Sequence, residues 1–299
     1  MMKTATSIRQ LVTNEKPLIT PLAHDALSAR LIERAGFKSI GIGGSALLAA
    51  RYGLPDIGLA AFGEMLAGVR EILAATRLPL MVDGDDGYGD VKSVAHMVES
   101  YTDLGVSAIV LEDQIRVAKQ PGDAGAVAVA SIEEMTAKIK VAVGACAGTE
   151  VQIIARCDAL KPEGLENALR RADSYLAAGA NGIFIPGLAT VEQLATVGRR
   201  FRGSHLMAAQ FEGRETWLPP AHLYELGFRQ IALPGVLLPR IVHCIDQTLA
   251  ALSEFAGSGK PLPAYPAGDA QRALEAALQF DKWKSVGDEP SQKSSGRKP

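Results

Sequence analysis

Leu104-Gly105-Val106-Ser107-Ala108-Ile109-Val110-Leu111-Glu112-Asp113 condenses the fold into ten residues. Upstream of it, Met97, Val98, Tyr101 and Leu104 recur at the three- and four-residue spacing of a helix that buries one face. Gly105 ends that helix, and an apolar strand over 107–111 follows with no intervening loop. The strand ends in two carboxylates. The same junction recurs at Ala35-Gly36-Phe37-Lys38-Ser39-Ile40, Ala178-Gly179-Ala180-Asn181-Gly182-Ile183 and Leu226-Gly227-Phe228-Arg229-Gln230-Ile231. A glycine-stopped helix feeding a buried strand is the unit from which parallel sheets are built.

Working outward, short apolar runs predict strands at 17–22, 38–42, 79–83, 107–111, 151–155, 181–185, 205–208 and 229–233. Eight strands alternating with helices predict an α/β fold, a (β/α)8 TIM barrel, over residues 1–255. No Gly-x-Gly-x-x-Gly follows the first strand, which argues against a dinucleotide-binding sheet. A Gly/Pro-rich hinge over 256–268, an amphipathic helix over 269–284 and a polar, disordered tail over 286–299 are expected after the barrel.

With 47% hydrophobic residues the chain is globular, and a net charge of −2 gives no electrostatic case for nucleic acid or an anionic membrane. No apolar run is long enough to span a bilayer, and no signal-peptide core opens the chain. Cys146, Cys157 and Cys244 share no ligand spacing, so they are read as buried free thiols of a cytoplasmic protein. The five histidines form no His-x-x-x-His pair, and neither Gly-x-Ser-x-Gly nor a P-loop is present.

In such a barrel, chemistry gathers where strands end. Leu80-Met81-Val82 ends in Asp83-Gly84-Asp85-Asp86-Gly87, the fourth strand in Glu112 and Asp113, and the fifth in Arg156 and Asp158. Gly43-Gly44-Ser45 and Asp56 follow the second strand. Carboxylates crowded at one mouth need a compensating cation or a shared proton, and with one arginine among them they point to a Mg²⁺ site beside an anion clamp. Gly43-Gly44 is either an anion-binding nest or a close-packing device. Asp86 is either a general acid/base or the N-cap of the helix from Val91. His24 is a further candidate to line the mouth.

The chain resembles the isocitrate lyase/phosphoenolpyruvate mutase superfamily over about residues 5–255. The matching pieces are His24-Asp25-Ala26-Leu27-Ser28-Ala29, Gly53-Leu54-Pro55-Asp56, Asp83 through Gly89, Leu111-Glu112-Asp113-Gln114 and Ile154-Ala155-Arg156-Cys157-Asp158-Ala159. The resemblance implies Mg²⁺, or Mn²⁺ in its place, bound through Asp83 and Asp85, with Asp56 and Glu112 contributing through water. It implies a small carboxylate substrate held by Arg156 and by amides near Gly43, Gly44 and Ser45. It further implies a homotetramer, a dimer of dimers, in which the C-terminal helical region packs on or is exchanged with a neighbouring subunit.

The lyases of this family carry Lys-Arg-Cys-Gly-His after the fourth strand, where the cysteine moves a proton. Here the loop reads Lys119-Gln120-Pro121-Gly122-Asp123, one residue farther from Glu112. The chain therefore looks closer to the cysteine-lacking, oxaloacetate decarboxylase-like members, with Asp56, Glu112, Lys119 and Arg156 as catalytic residues. Cleavage of 2-methylisocitrate or dimethylmalate is the alternative, followed by phosphonopyruvate hydrolase or mutase chemistry.

Overall fold

Eight parallel strands close into a barrel in unbroken chain order, each paired to the next and the last to the first. The computed structural model describes residues 6–119 and 128–288. The elements run α1 (Ile8–Asn14), β1 (Leu18–Ala23), α2 (Ala26–Arg34), β2 (Ile40–Ile42), α3 (Gly44–Tyr52), α4 (Phe62–Ala75), β3 (Leu80–Asp83), α5 (Val91–Asp103) and β4 (Ala108–Glu112). They continue α6 (Ile132–Ala145), β5 (Gln152–Arg156), α7 (Leu160–Glu163), α8 (Leu165–Ala177), β6 (Gly182–Phe184), α9 (Val191–Arg200), β7 (His205–Ala209), α10 (Pro220–Leu226) and β8 (Gln230–Leu233). Three helices end the described chain: α11 (Leu237–Ser258), α12 (Ala267–Ala277) and α13 (Phe280–Asp288). Every expected strand is present, with boundaries shifted by at most two residues at either end.

The pleat sorts the side chains into two layers. Leu18, Leu22, Met81, Ala108, Val110, Ile154, Phe184, Met207 and Ala232 fill the barrel interior. Their neighbours Val82, Ile109, Leu111, Ile153, Ala155, Ile183 and Ile231 pack outward in the larger core cluster. Ile8, Leu11 and Val12 of α1 join the interior cluster, and the Ile8 N–H donates to Ser107 Oγ at 2.8 Å just before β4. That helix closes the N-terminal end. Above it His205 bridges Gln152 and Gln230 at 2.8 and 2.7 Å, and Gln230 donates to Thr20 at 2.8 Å. Burial lowers the His205 ring to about 4, so this polar layer is neutral and structural. The open end is the C-terminal one.

The chain divides into two compact units after Val242. The expected boundary at 255/256 falls inside α11, which runs on to Ser258. The single helix expected over 269–284 is instead two, α12 and α13, because Gln279 takes the left-handed region at φ 56° and breaks the helical path. Residues 289–299 of the expected tail lie outside the described residues. Large apolar side chains on the terminal helices, Leu249, Phe255, Phe280 and Trp283 among them, are at least half exposed. No helix among the described residues is long and apolar enough to cross a membrane. Cys146 and Cys157 are buried, but Cys244 is exposed on α11, which corrects the expectation of three buried thiols.

Candidate active site

The pleat that fills the barrel also aims its chemistry. Met81 and Asp83 share one face of β3, Val110 and Glu112 one face of β4, and Ile154 and Arg156 one face of β5. Each polar residue is therefore the inward side chain one step above an interior apolar one. Glu112 is 1% exposed and Asp85 6%.

The turn after β3 is pinned from several sides. Gly84 N–H donates to Val110 O at 2.7 Å, Glu112 N–H to Asp85 O at 2.8 Å, and the buried Lys138 Nζ to Asp86 O at 3.0 Å. A Cβ at Gly84 would lie 3.0 Å from Val110 O, so a larger residue would have to push β4 back by a few tenths of an ångström. Asp85 and Tyr88 are held at φ 47° and 60°. Such left-handed residues cost roughly 1–3 kcal/mol each and persist only where surrounding contacts over-determine them. Asp86 accepts from Tyr88 N–H at 3.0 Å, while the N-cap of α5 is Asp90, which accepts from Lys92 and Ser93. The capping role belongs to Asp90.

Lys119 reaches into this cluster. Its Nζ lies 2.8 Å from Asp85, 3.0 Å from Glu112 and 3.5 Å from Asp56. Burial alone would lower its pKa, but Glu112, Asp85, Asp56 and Asp83 together hold it well above the ordinary lysine value. It is a fixed cation. Arg156 contacts Glu112 at 3.0 Å through NH1 and Asp158 at 2.8 Å through both NH2 and Nε. Its guanidinium lies 5.8 Å above the Phe184 ring centre. Among the described residues no further acceptor engages the two terminal nitrogens, which present the kind of edge that grips a carboxylate.

The charges do not balance. Among the described residues five carboxylates (Asp56, Asp83, Asp85, Glu112, Asp158) meet three cations (Lys119, Arg156, Arg116). Burial, with Asp85 adding to it, raises Asp83 to about 6 despite Arg156 and Lys119. Burial likewise raises Glu112 to about 8. In Asp85 the same burial is outweighed by Lys119 and Arg116, and its pKa falls. Among the described residues neither Glu112 oxygen receives a hydrogen bond of good geometry, although Lys119 and Arg156 each approach to 3.0 Å. Among the described residues no three Asp, Glu, His or Cys side chains are arranged as a direct ligand set, and the ammonium of Lys119 is the cation that three carboxylates share.

Of the remaining expected residues, Gly43 is the N-cap of α3, and the Gly44 N–H faces Asp83 Oδ2 at 3.4 Å. Ser45 is exposed. His24 is buried, with Nε2 3.8 Å from Asp25 and, among the described residues, no hydrogen-bond partner on Nδ1. Pro121 and Asp123 lie outside the described residues. Arg116 escaped the sequence reading, since an arginine in a polar connection is ordinarily a solvated one. Its guanidinium donates to Ala60 O, contacts Asp85 at 3.4 Å and stacks 4.9 Å from the Tyr88 ring centre.

Residues 8–253 match the family described as phosphoenolpyruvate phosphomutase. The 2,3-dimethylmalate lyase of Eubacterium barkeri is 35% identical over 233 residues, 78% of this chain and 80% of that protein. The crystal structure of oxaloacetate acetylhydrolase with 3,3-difluorooxalacetate superposes with a TM-score of 0.84 at 28% identity, covering 97% of this chain and 98% of the other. Phosphonopyruvate hydrolase with oxalate and Mg²⁺ superposes with a TM-score of 0.79 at 25% identity, covering 97% and 99%.

Proposed function

The chain belongs to the phosphoenolpyruvate mutase/isocitrate lyase superfamily, and from that premise we propose that it is a divalent-metal-dependent lyase that decarboxylates a small 2-oxo diacid of the oxaloacetate type. The observation that carries this reading is the pairing, at one barrel mouth, of a cation-deficient carboxylate cradle with the uncommitted edge of Arg156. The cradle's donors are hard oxygens, and its deficit of two positive charges suits a divalent ion. Mg²⁺, or Mn²⁺ in its place, would be held by Asp83 and Asp85, with Asp56 and Glu112 acting through water, and supplies when bound a Lewis acid that draws electron density from the 2-oxo oxygen.

The chain's own residues do the rest. Arg156 grips the carboxylate beside the 2-oxo group, and Asp158 and Glu112 fix its plane from behind. As the bond to the departing carboxylate breaks, its electron pair moves toward the 2-oxo oxygen and CO₂ leaves. The enolate then takes a proton from solvent to give the 2-oxo acid. Lys119 stabilises the developing negative charge without giving up its proton, because its carboxylate neighbours hold that proton tightly. Decarboxylation suits such a site, since the departing CO₂ needs no proton.

A second reading, aldol-type cleavage of a dimethylmalate- or methylisocitrate-like substrate, is favoured by the 35% identity to the dimethylmalate lyase. The two part at the products. Oxaloacetate, 2,3-dimethylmalate, 2-methylisocitrate and phosphonopyruvate should be supplied with Mg²⁺ and the products read by NMR. Decarboxylation gives pyruvate and CO₂ from oxaloacetate. Pyruvate from 2-methylisocitrate, or propionate from dimethylmalate, with oxaloacetate untouched would establish the second reading instead.

A further inference from the structure

Behind the barrel wall, away from the carboxylate cradle, α8 contributes a hydrogen-bonded array that the reaction above does not use. Tyr175, fully buried, donates from its hydroxyl to Asp113 Oδ2 at 2.6 Å. The other oxygen of Asp113 accepts the backbone N–H of Asp158 at 2.7 Å. Arg171, also buried, donates from NH1 to Ala130 O at 2.7 Å and to the Tyr175 hydroxyl at 3.3 Å. Glu163 grips the remaining edge of that guanidinium at 2.7 and 2.6 Å.

The array ends on two kinds of functional backbone. One is Asp158, the residue whose carboxylate orients Arg156. The other is the pair of flanks of the β4–α6 connection. Ala130 N–H donates to Asp113 O at 2.8 Å, Ile115 N–H to Ala128 O at 3.0 Å, and Gln114 bridges Val129 in antiparallel sense. Arg116 and Lys119 follow directly from the first flank. Asp113 also donates its own N–H to Arg156 O at 3.2 Å. Asp113 thus touches the clamp strand and the far flank of the connection through its main chain, and the clamp's partner through its buried carboxylate.

We propose that Tyr175 and Arg171 are positioning residues, which act through Asp113 to set the Arg156–Asp158 clamp and to anchor the segment that presents Lys119. The clamp's role rests on the function proposed above, but the anchoring does not. A side chain on a helix outside the barrel would then govern substrate affinity without touching substrate. Buried networks of this kind hold one geometry only when every member is satisfied. Among the described residues, removing the Tyr175 hydroxyl leaves Asp113 Oδ2 with only the distant Arg171 NH1, 3.6 Å away.

The test uses Tyr175→Phe, Arg171→Met and Asp113→Asn in the full chain, with amide hydrogen exchange as the first readout and oxalate binding in Mg²⁺ as the second. Tyr175→Phe should speed exchange at Asp158 by up to about tenfold, the scale of one lost hydrogen bond. Arg171→Met should do the same for the segment around Ala130, and amides of β1 should be unchanged in both. Both variants should bind oxalate several-fold more weakly. Asp113→Asn keeps an oxygen for the Asp158 N–H but turns an amide N–H toward the Tyr175 hydroxyl, so it should speed exchange at Asp158 as Tyr175→Phe does. Uniform acceleration across the barrel, or no local change, would overturn the proposal. Local acceleration with wild-type oxalate affinity would overturn its clamp half. Wild-type protein that fails to bind oxalate would count against the function, leaving the exchange result to decide the anchoring.

Discussion

Lys119 Nζ sits 2.8 Å from Asp85 Oδ1, bringing a lysine from the β4–α6 connection against the acidic turn that follows β3. Both side chains are only 8% exposed, so neither charge is screened by bulk water. Lys119, with Arg116, holds Asp85 below its ordinary pKa against its burial, whereas burial raises Asp83 and Glu112 despite the same lysine.

Lys119→Met leaves Asp85 and Glu112 buried without their nearest cation. Breaking such a pair on one side costs about 3–5 kcal/mol. Urea unfolding in EDTA should show a loss of that order, and excess Mg²⁺ should recover most of it. An equal loss in EDTA and in Mg²⁺ would mean that the lysine and the metal do not answer the same charge deficit.

The raised carboxylates fix the sign of the pH response. Glu112 at about 8 and Asp83 at about 6 bind protons in the folded protein that their unfolded counterparts, at 4.5 and 3.8, have released. Metal-free protein should therefore lose stability as pH rises from about 4 to 8, the window between the unfolded and folded values. Mg²⁺ binding should tighten across the same range and release protons, which calorimetry in buffers of different ionisation enthalpy reads directly. Stability that climbs through that window in EDTA would contradict the assignment.

Thiol chemistry should play no part. Cys157 lies beside Arg156 but is fully buried, donates to Ala168 O at 3.6 Å, and has its thiol pushed far up by burial. Iodoacetamide should modify the exposed Cys244 with no loss of turnover. Inactivation that substrate prevents would bring Cys157 into the mechanism.

The exposed apolar side chains of α11–α13 need a cover, and we propose that a neighbouring subunit of a tetramer provides it. Deleting residues 256–299, which removes Phe280 and Trp283, should lower the assembly state in light scattering. A truncated chain of unchanged assembly would assign these helices to local packing.

The barrel was legible because its signals are local. Each glycine stop at Gly36, Gly105, Gly179 and Gly227 reports a backbone turn that side chains further away do not alter, and all four take positive φ. Asp83, Glu112 and Arg156 were legible for the same reason, since strand alternation fixes the face each presents. Gln279 carried no such signal. It breaks the last amphipathic stretch although nothing in its side chain forbids a helix. Arg116 and Tyr175 were invisible because their roles rest on partners distant in the chain, Asp85 and Asp113. Lys119 was legible only as a loop lysine, and the fold alone supplies its three carboxylate neighbours.

The central claim is that Asp83 and Asp85 hold the divalent ion on which turnover depends. Its most direct test is ¹³C NMR of oxaloacetate turnover by the wild type, Asp83→Asn and Asp85→Asn, each with Mg²⁺ and after EDTA. Asparagine tolerates the left-handed backbone at 85, so the fold should survive in both variants. Enzyme-dependent pyruvate and CO₂ should form from the wild type in Mg²⁺ only, with a loss of at least about a hundredfold in either variant. Wild-type rates in EDTA, or folded variants that turn over oxaloacetate as the wild type does, would contradict it.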